Sequence, residues 1–327
     1  MRVVFLILLA VCSYAWSADQ QYAEIGNLQT SSGITIDSCR VGYSVSGTLN
    51  ADKSNVIVFP SWFTGSARSL EQYGLIGPGK LADTDRYYVI AVDALGNGVS
   101  CSPSNVDDFP RISTADMVNS QYRLLTENLG IEHVHAVMGI SMGGMQTFRW
   151  LAMYPGFMDK AVPIDGSPRM TTFDLVQWQT HKDIIRTMQS SGHSNGDIME
   201  VMARVNLLTL YTPDYFVENV DREELPGMIR DSEQGYASLA ADDYVAQLEA
   251  MIDHDVLDGE GNLAADSSAE VLVVGVPSDH MVNPVPGRRL AARMGADYYE
   301  VDSNCGHIGT TCEAEAVGKR VNEFLAQ

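Results

Sequence analysis

The chain has 327 residues, 45% of them hydrophobic and 19% charged, and a formal net charge of −21. That size and composition supply a sizeable buried core and fit one α/β domain carrying an insertion. No Lys/Arg cluster interrupts the acidity, so nucleic acid and anionic membrane surfaces are excluded as expected partners.

At the N-terminus, Arg2 precedes an apolar run over residues 3–11 that is too short to span a bilayer. Small residues follow at Ala15, Ser17 and Ala18, ahead of the polar Asp19. This layout predicts a secretory signal peptide over residues 1–18 and a mature chain exported to the periplasm or outside the cell, with no membrane span. Export leaves four cysteines, an even number that favours disulfides in an oxidising compartment. Three connectivities are open. Cys305 and Cys312 bracket a histidine at short range and are the favoured pair, which leaves Cys39 with Cys101; buried free thiols are the alternative. The spacing matches no zinc site, and no metal or organic cofactor is implied.

Residues 22–49 alternate around Ser31-Ser32-Gly33 and predict a β-hairpin at a sheet edge. Continuous apolar runs at 55–59 and 87–92 predict buried strands. Ser113 and Asp116 mark the start of a helix that runs to Asn128 and breaks at Gly130. Further strands are predicted at 133–138, 160–164, 270–276 and 297–301, and a last helix at 313–325. Buried strands alternating with helices predict an α/β fold with a mostly parallel central sheet and helices on both faces. Residues 167–269 break the alternation. They are rich in helix formers, methionine and aromatics, and predict a helical cap inserted into a core made of 19–166 and 270–327.

The strand at 133–138 runs into Gly139-Ile140-Ser141-Met142-Gly143-Gly144, and helical character follows from Met145 to Tyr154 and stops at Pro155. A serine on a sharp strand-to-helix turn with small flanking residues resembles the nucleophile elbow of the α/β-hydrolases. The turn is expected to hold the serine oxygen open above the sheet, where the amides of the next helix face a developing oxyanion. A serine needs a base, itself oriented by a carboxylate. Asp279, after the strand at 270–276, and His307, after the last strand, follow Ser141 in the order this fold uses. His133 and His135 lie in the elbow strand, His181, His193 and His254 in the cap, and His280 is too close in sequence to Asp279. Asp165 and Asp302 end strands and read as structural acids. The amides of Met142 and Phe63, with Trp62 as second choice for the latter, are the candidate oxyanion donors.

Several segments together resemble the homoserine O-acetyltransferase-like family of α/β-hydrolases: Phe63-Thr64-Gly65-Ser66-Ala67, Leu75-Ile76-Gly77-Pro78-Gly79-Lys80, Asp83-Thr84-Asp85-Arg86-Tyr87, Phe109-Pro110-Arg111-Ile112-Ser113, the elbow, Ser278-Asp279 and Gly306-His307. The resemblance implies the triad Ser141, Asp279 and His307 with oxyanion amides at Phe63 and Met142. Ala203-Arg204 and Tyr211 resemble a segment that holds homoserine in the acetyltransferases, which makes Arg204 and Tyr211 candidate substrate contacts, with Trp62 a further candidate beside the oxyanion loop. Leu210 and Pro213 depart from that segment. The loop from Gly96 to Asn105 is similar instead to the ester-hydrolysing members. An exported enzyme would also meet almost no acetyl-CoA. The expectation is an exported serine hydrolase cleaving small carboxylic esters through an acyl-enzyme, with an O-acyltransferase as the alternative and a silent binding protein as the third reading. The substrate is a small-molecule ester, and a homodimer is compatible with the composition.

Overall fold

A computed structural model of the chain describes residues 19–327; the expected signal peptide at 1–18 lies outside the described residues. Gln21–Gln29 (β1) and Thr35–Ser46 (β2) form the N-terminal hairpin, paired antiparallel. Val56–Pro60 (β3), Tyr88–Val92 (β4), Val134–Ile140 (β5), Met158–Ile164 (β6), Glu270–Gly275 (β7) and Asp297–Glu300 (β8) complete one sheet. The order is β1-β2-β4-β3-β5-β6-β7-β8, with the hairpin at one edge. From β4 to β8 every pairing is parallel. Parallel strands need both faces covered, and two apolar clusters do this, one on each side of the sheet. A second, two-stranded sheet pairs Ile76–Gly77 with Ala82–Asp83.

The helices follow the chain. Ala67–Gln72 (α1) comes after β3, and Thr114–Arg123 (α2) begins at Ser113, whose hydroxyl and Asp116 form a reciprocal cap. A π-helical turn, Leu124–Asn128, extends α2 to the expected end. Met142–Met153 (α3) begins three residues before the helical character legible in the sequence, because Gly143 and Gly144 have low helix propensity but lie in its first turn. Between β6 and β7 come Thr172–Ser190 (α4), Asn195–Leu210 (α5), Pro213–Asn219 (α6), Leu225–Tyr236 (α7) and Ala241–Ile252 (α8). Val285–Met294 (α9) and Ala314–Leu325 (α10) close the fold.

The five inserted helices make their own packing. Trp178 and Ile185 on α4, Met199 and Met202 on α5, and Tyr244 and Leu248 on α8 are buried. Cys39 is joined to Cys101, tying β2 to the loop after β4, and Cys305 to Cys312, closing a short loop around His307. Among the described residues no helix is long and apolar enough to cross a membrane.

Candidate active site

Ser141 sits between β5 and α3 with φ +58° and ψ −121°, a conformation that L-residues rarely adopt. The surroundings over-determine it. The Ser141 amide donates to the Ile164 carbonyl at 2.9 Å, and the Ser141 carbonyl accepts from Met145. A Cβ on Gly139 would stand 2.3 Å from the Gly143 carbonyl oxygen, and one on Gly143 would stand 2.6 Å from the Pro60 oxygen. One packing layer on, a Cβ on Gly144 would stand 2.7 Å from the Ile164 oxygen. The glycines of the elbow are therefore required by backbone contact, and the strand, turn and helix can close in no other way with larger residues.

Asp279 and His307 come from the loops after β7 and β8, adjacent strands in the sheet. His307 Nδ1 lies 2.7 Å from Asp279 Oδ2, and its Nε2 lies 2.8 Å from Ser141 Oγ. A carboxylate can only accept, so Nδ1 carries the proton; Nε2 is then an acceptor and the Ser141 hydroxyl donates to it. The other carboxylate oxygen, Oδ1, accepts the amides of Met281 and Val282 at 2.8 and 3.0 Å, which fixes the plane of the carboxyl group. The two loops are also joined to each other. Ser278 Oγ donates to the Ser303 carbonyl and accepts from the Gly306 amide.

The inserted helices reach the same place. Asp174, in the first turn of α4, accepts the Asn283 amide at 3.2 Å, just beyond the Asp279 turn. Thr212, capping α6, donates to the Asn304 carbonyl, and Gly306 at φ +75° packs so closely on the end of α5 that a Cβ there would meet the Leu210 oxygen at 2.9 Å. With this cover, Ser141 is only 7% exposed, Asp279 4% and His307 7%. The hydroxyl expected to stand open above the sheet is instead buried, because cap helices and the histidine loop close over it.

Burial opposes a charged imidazole and is the largest influence on His307, but the nearby carboxylates act together against it. Asp279, by charge and by hydrogen bond, and then Asp165 and Asp174, raise the ring above its ordinary 6.5. The site is thus built to favour a transient imidazolium.

The amides expected to hold an oxyanion come from two elements, the start of α3 and the turn after β3. Met142 is the first residue of α3, and a helix's first amides have no acceptor inside the helix. Phe63 lies in the turn after β3; its ring is buried edge-on against Trp178 at 5.9 Å and Tyr244 at 4.5 Å. The turn is pinned from two sides by glutamines that the sequence analysis did not single out. Gln146 on α3 donates to the Ser61 carbonyl at 3.1 Å, and Gln247 on α8 accepts the Thr64 amide at 2.8 Å while donating to the Leu95 carbonyl at 3.1 Å. Gln146 stands two residues past the elbow glycines and could have been noticed; Gln247 stands 183 residues from Thr64 and has no local signal. Removing its clamp leaves the chemistry intact but loosens the Phe63 amide. Gln247→Ala is expected to lower kcat by about tenfold to a hundredfold with KM little changed, measured by steady-state kinetics on a chromogenic ester.

The remaining candidates are spread out. Trp62 folds its indole over Gly65 and packs against Tyr73 at 5.6 Å. Tyr211 caps α5 and stacks on Tyr215 at 4.6 Å, near the His307 loop. Arg204 is half exposed on α5, with its Nε 2.7 Å from Glu233 of α7 and a further pairing to Glu200; the structure spends its charge on holding cap helices together.

A family model described as the alpha/beta hydrolase fold matches residues 55–310. The chain belongs to the α/β-hydrolases. Relatives of the chain include esterases and homoserine O-acetyltransferases. It is 39% identical to an ethyl acetate hydrolase of Pseudomonas veronii over 158 residues, 46% of this chain and 45% of that one. It is 28% identical to a homoserine O-acetyltransferase of Clavibacter michiganensis subsp. michiganensis, covering 94% of this chain and 92% of the other. The chain spans about half the length of the esterase relatives it matches. Its fold superposes on the crystal structure of an acetylester hydrolase from Corynebacterium glutamicum with a TM-score of 0.86 at 23% identity, over 94% of this chain and 96% of that one.

Proposed function

We propose that the chain is a serine hydrolase of small carboxylic esters that works through an acyl-enzyme on Ser141. The observation that carries this reading is the continuous hydrogen-bonded path from Asp279 through His307 to Ser141, at 2.7 and 2.8 Å. Ser141 Oγ attacks the ester carbonyl carbon as His307 Nε2 takes its proton, and the carbonyl oxygen becomes an oxyanion held by the Phe63 and Met142 amides. Collapse expels the alcohol, which leaves with the proton from Nε2. Water then attacks the acyl-enzyme, gives a proton to Nε2, and the acid departs as Ser141 recovers its hydrogen.

The acetyltransferase relatives, matched over nearly the whole chain, support acyl transfer to a hydroxyl acceptor as the second reading. Product analysis separates the two. Purified protein given p-nitrophenyl acetate in the presence of homoserine is expected to release free acetate as its main product, quantified beside O-acetylhomoserine by mass spectrometry. A predominance of O-acetylhomoserine, or its rapid formation from acetyl-CoA, favours transfer.

We also propose that the enzyme acts after export. The apolar run followed by small residues before Asp19, together with two disulfides, supports this. N-terminal sequencing of the protein recovered outside the cytoplasm is expected to begin near Ala18 or Asp19. Recovery of an uncleaved chain in the cytoplasm, with reduced cysteines, would count against it.

A further inference from the structure

Asp165 is a buried carboxylate beside the triad that has no step in the mechanism above. It follows the last residue of β6 at φ +46°, and its amide donates to the Val274 carbonyl of β7 at 3.0 Å, which places it between two strand ends. Its side chain is 3% exposed. Oδ2 accepts from Thr310 Oγ1 at 2.6 Å, and Thr310 lies three residues beyond His307, so one short segment carries both. Oδ1 is buried without any hydrogen-bond partner. A carboxylate kept only for structure normally has both oxygens satisfied. Here a neutral side chain able to accept one bond from Thr310 would serve the fold equally well, so the acid calls for another explanation.

The groups facing it come from every neighbouring element. Asp279 approaches from the loop after β7, and His307 and Thr310 from the C-terminal turn. Tyr298 approaches from β8, with its hydroxyl against Gly275 and its ionisation opposed in part by Asp165. Asp174 of α4 acts on the same Asp279 and His307. On the α3 side the Gly144 backbone packs against Gly166, the residue after Asp165.

We propose that Asp165 is a positioning residue for His307: a second buried carboxylate, tethered through Thr310, that shares with Asp279 the stabilisation of the imidazolium formed during acyl transfer. This rests on the serine-hydrolase reading for its purpose, though not for its measurement. Burial first, and then the charge of Asp279, push Asp165 up to about 7, while His307 and the Thr310 hydroxyl pull the other way. The carboxyl group therefore ionises near neutrality, and it titrates as part of a coupled cluster with the ring. Once ionised it draws positive charge onto His307 and strengthens it as a base. Protonated, it withdraws that help.

The test reads the imidazole directly. Protein labelled at histidine Cε1 with carbon-13 is titrated by NMR, the His307 resonance being assigned by its absence in His307→Gln. Asp165→Asn removes the charge and keeps an acceptor for Thr310; it is expected to lower the His307 pKa by about one unit. The variant is expected to fold. A raised carboxyl pKa means the native protein holds a proton that the unfolded chain has released, so stability falls as pH rises from 3.8 through about 7. The asparagine escapes that loss and should melt no lower than wild type at mildly alkaline pH. Thr310→Val is the second variant: without the hydroxyl Asp165 ionises less readily, and the His307 pKa is expected to fall in the same direction by a smaller amount. An unchanged His307 pKa in folded Asp165→Asn, or in Thr310→Val should the first not fold, overturns the proposal. Because the ring's own titration is followed, a failure of ester hydrolysis would count against the hydrolase reading and leave this answer standing.

Discussion

Ser141→Ala is expected to abolish hydrolysis of p-nitrophenyl acetate, with kcat falling by about a million-fold while the protein stays folded. The size follows from what the side chain does. Its oxygen is the nucleophile, and among the described residues no other hydroxyl shares its hydrogen bond to His307 Nε2. The fold should tolerate the change because the elbow is held by backbone contacts. The Ser141 amide to Ile164, the Gly139 approach to Gly143 and the Gly143 approach to Pro60 are all kept with alanine in place. The backbone at φ +58° is no harder for alanine than for serine. Circular dichroism and thermal melting should match wild type, and any residual hydrolysis should not saturate with substrate. A variant that retains wild-type turnover would remove Ser141 from the reaction.

Asp279→Asn is expected to lower kcat by about ten-thousandfold for a different reason. The amides of Met281 and Val282 hold one oxygen of the carboxyl group, and an asparagine would keep its carbonyl there. That turns the amide nitrogen toward His307 Nδ1. The ring must then accept at Nδ1 and carry its proton on Nε2, where it cannot take the one from Ser141. The substitution also removes the carboxylate that does most to offset burial, so the His307 pKa falls. The pH dependence follows from the same shift. The base must be neutral, so kcat/KM of the wild type should rise with pH through a midpoint above 6.5. In Asp279→Asn the residual activity should show its midpoint at lower pH. Stopped-assay profiles across the neutral range check both statements, and an unmoved midpoint with near-normal kcat would show that Asp279 does not govern the ring.

The parts of this site legible in the sequence are those with local signatures. The elbow is six consecutive residues whose small side chains answer to contacts within a few ångströms, and Asp279 and His307 announce themselves by following apolar strands. The sheet was legible for the same reason, since β3, β4, β6 and β7 are continuous apolar runs. Helix α9 was not anticipated, although Pro284 and Pro286 at its start and Gly295 in the left-handed conformation at its end are ordinary helix punctuation. The burial of Ser141 could not be read, because it depends on where α4 to α8 fold back over β5. Nor could the clamp from Gln247 to Thr64, or the convergence of Asp165 with Asp279 and His307, which depends on the neighbouring ends of three strands. Arg204 shows the opposite case. A residue type suited to binding a carboxylate meets one from its own chain, Glu233, and the sequence around it gives no sign of that pairing.

The central claim is that Ser141 becomes covalently acylated because His307 takes its proton. A fluorophosphonate probe tests this most directly, since it reacts with an activated serine and mimics the tetrahedral geometry of attack. Peptide mass spectrometry of the labelled, folded protein should place one phosphonyl adduct on Ser141, absent in Ser141→Ala and formed far more slowly in His307→Gln. An adduct on another residue, or none on folded wild-type protein under conditions that label a control serine hydrolase, would contradict the account.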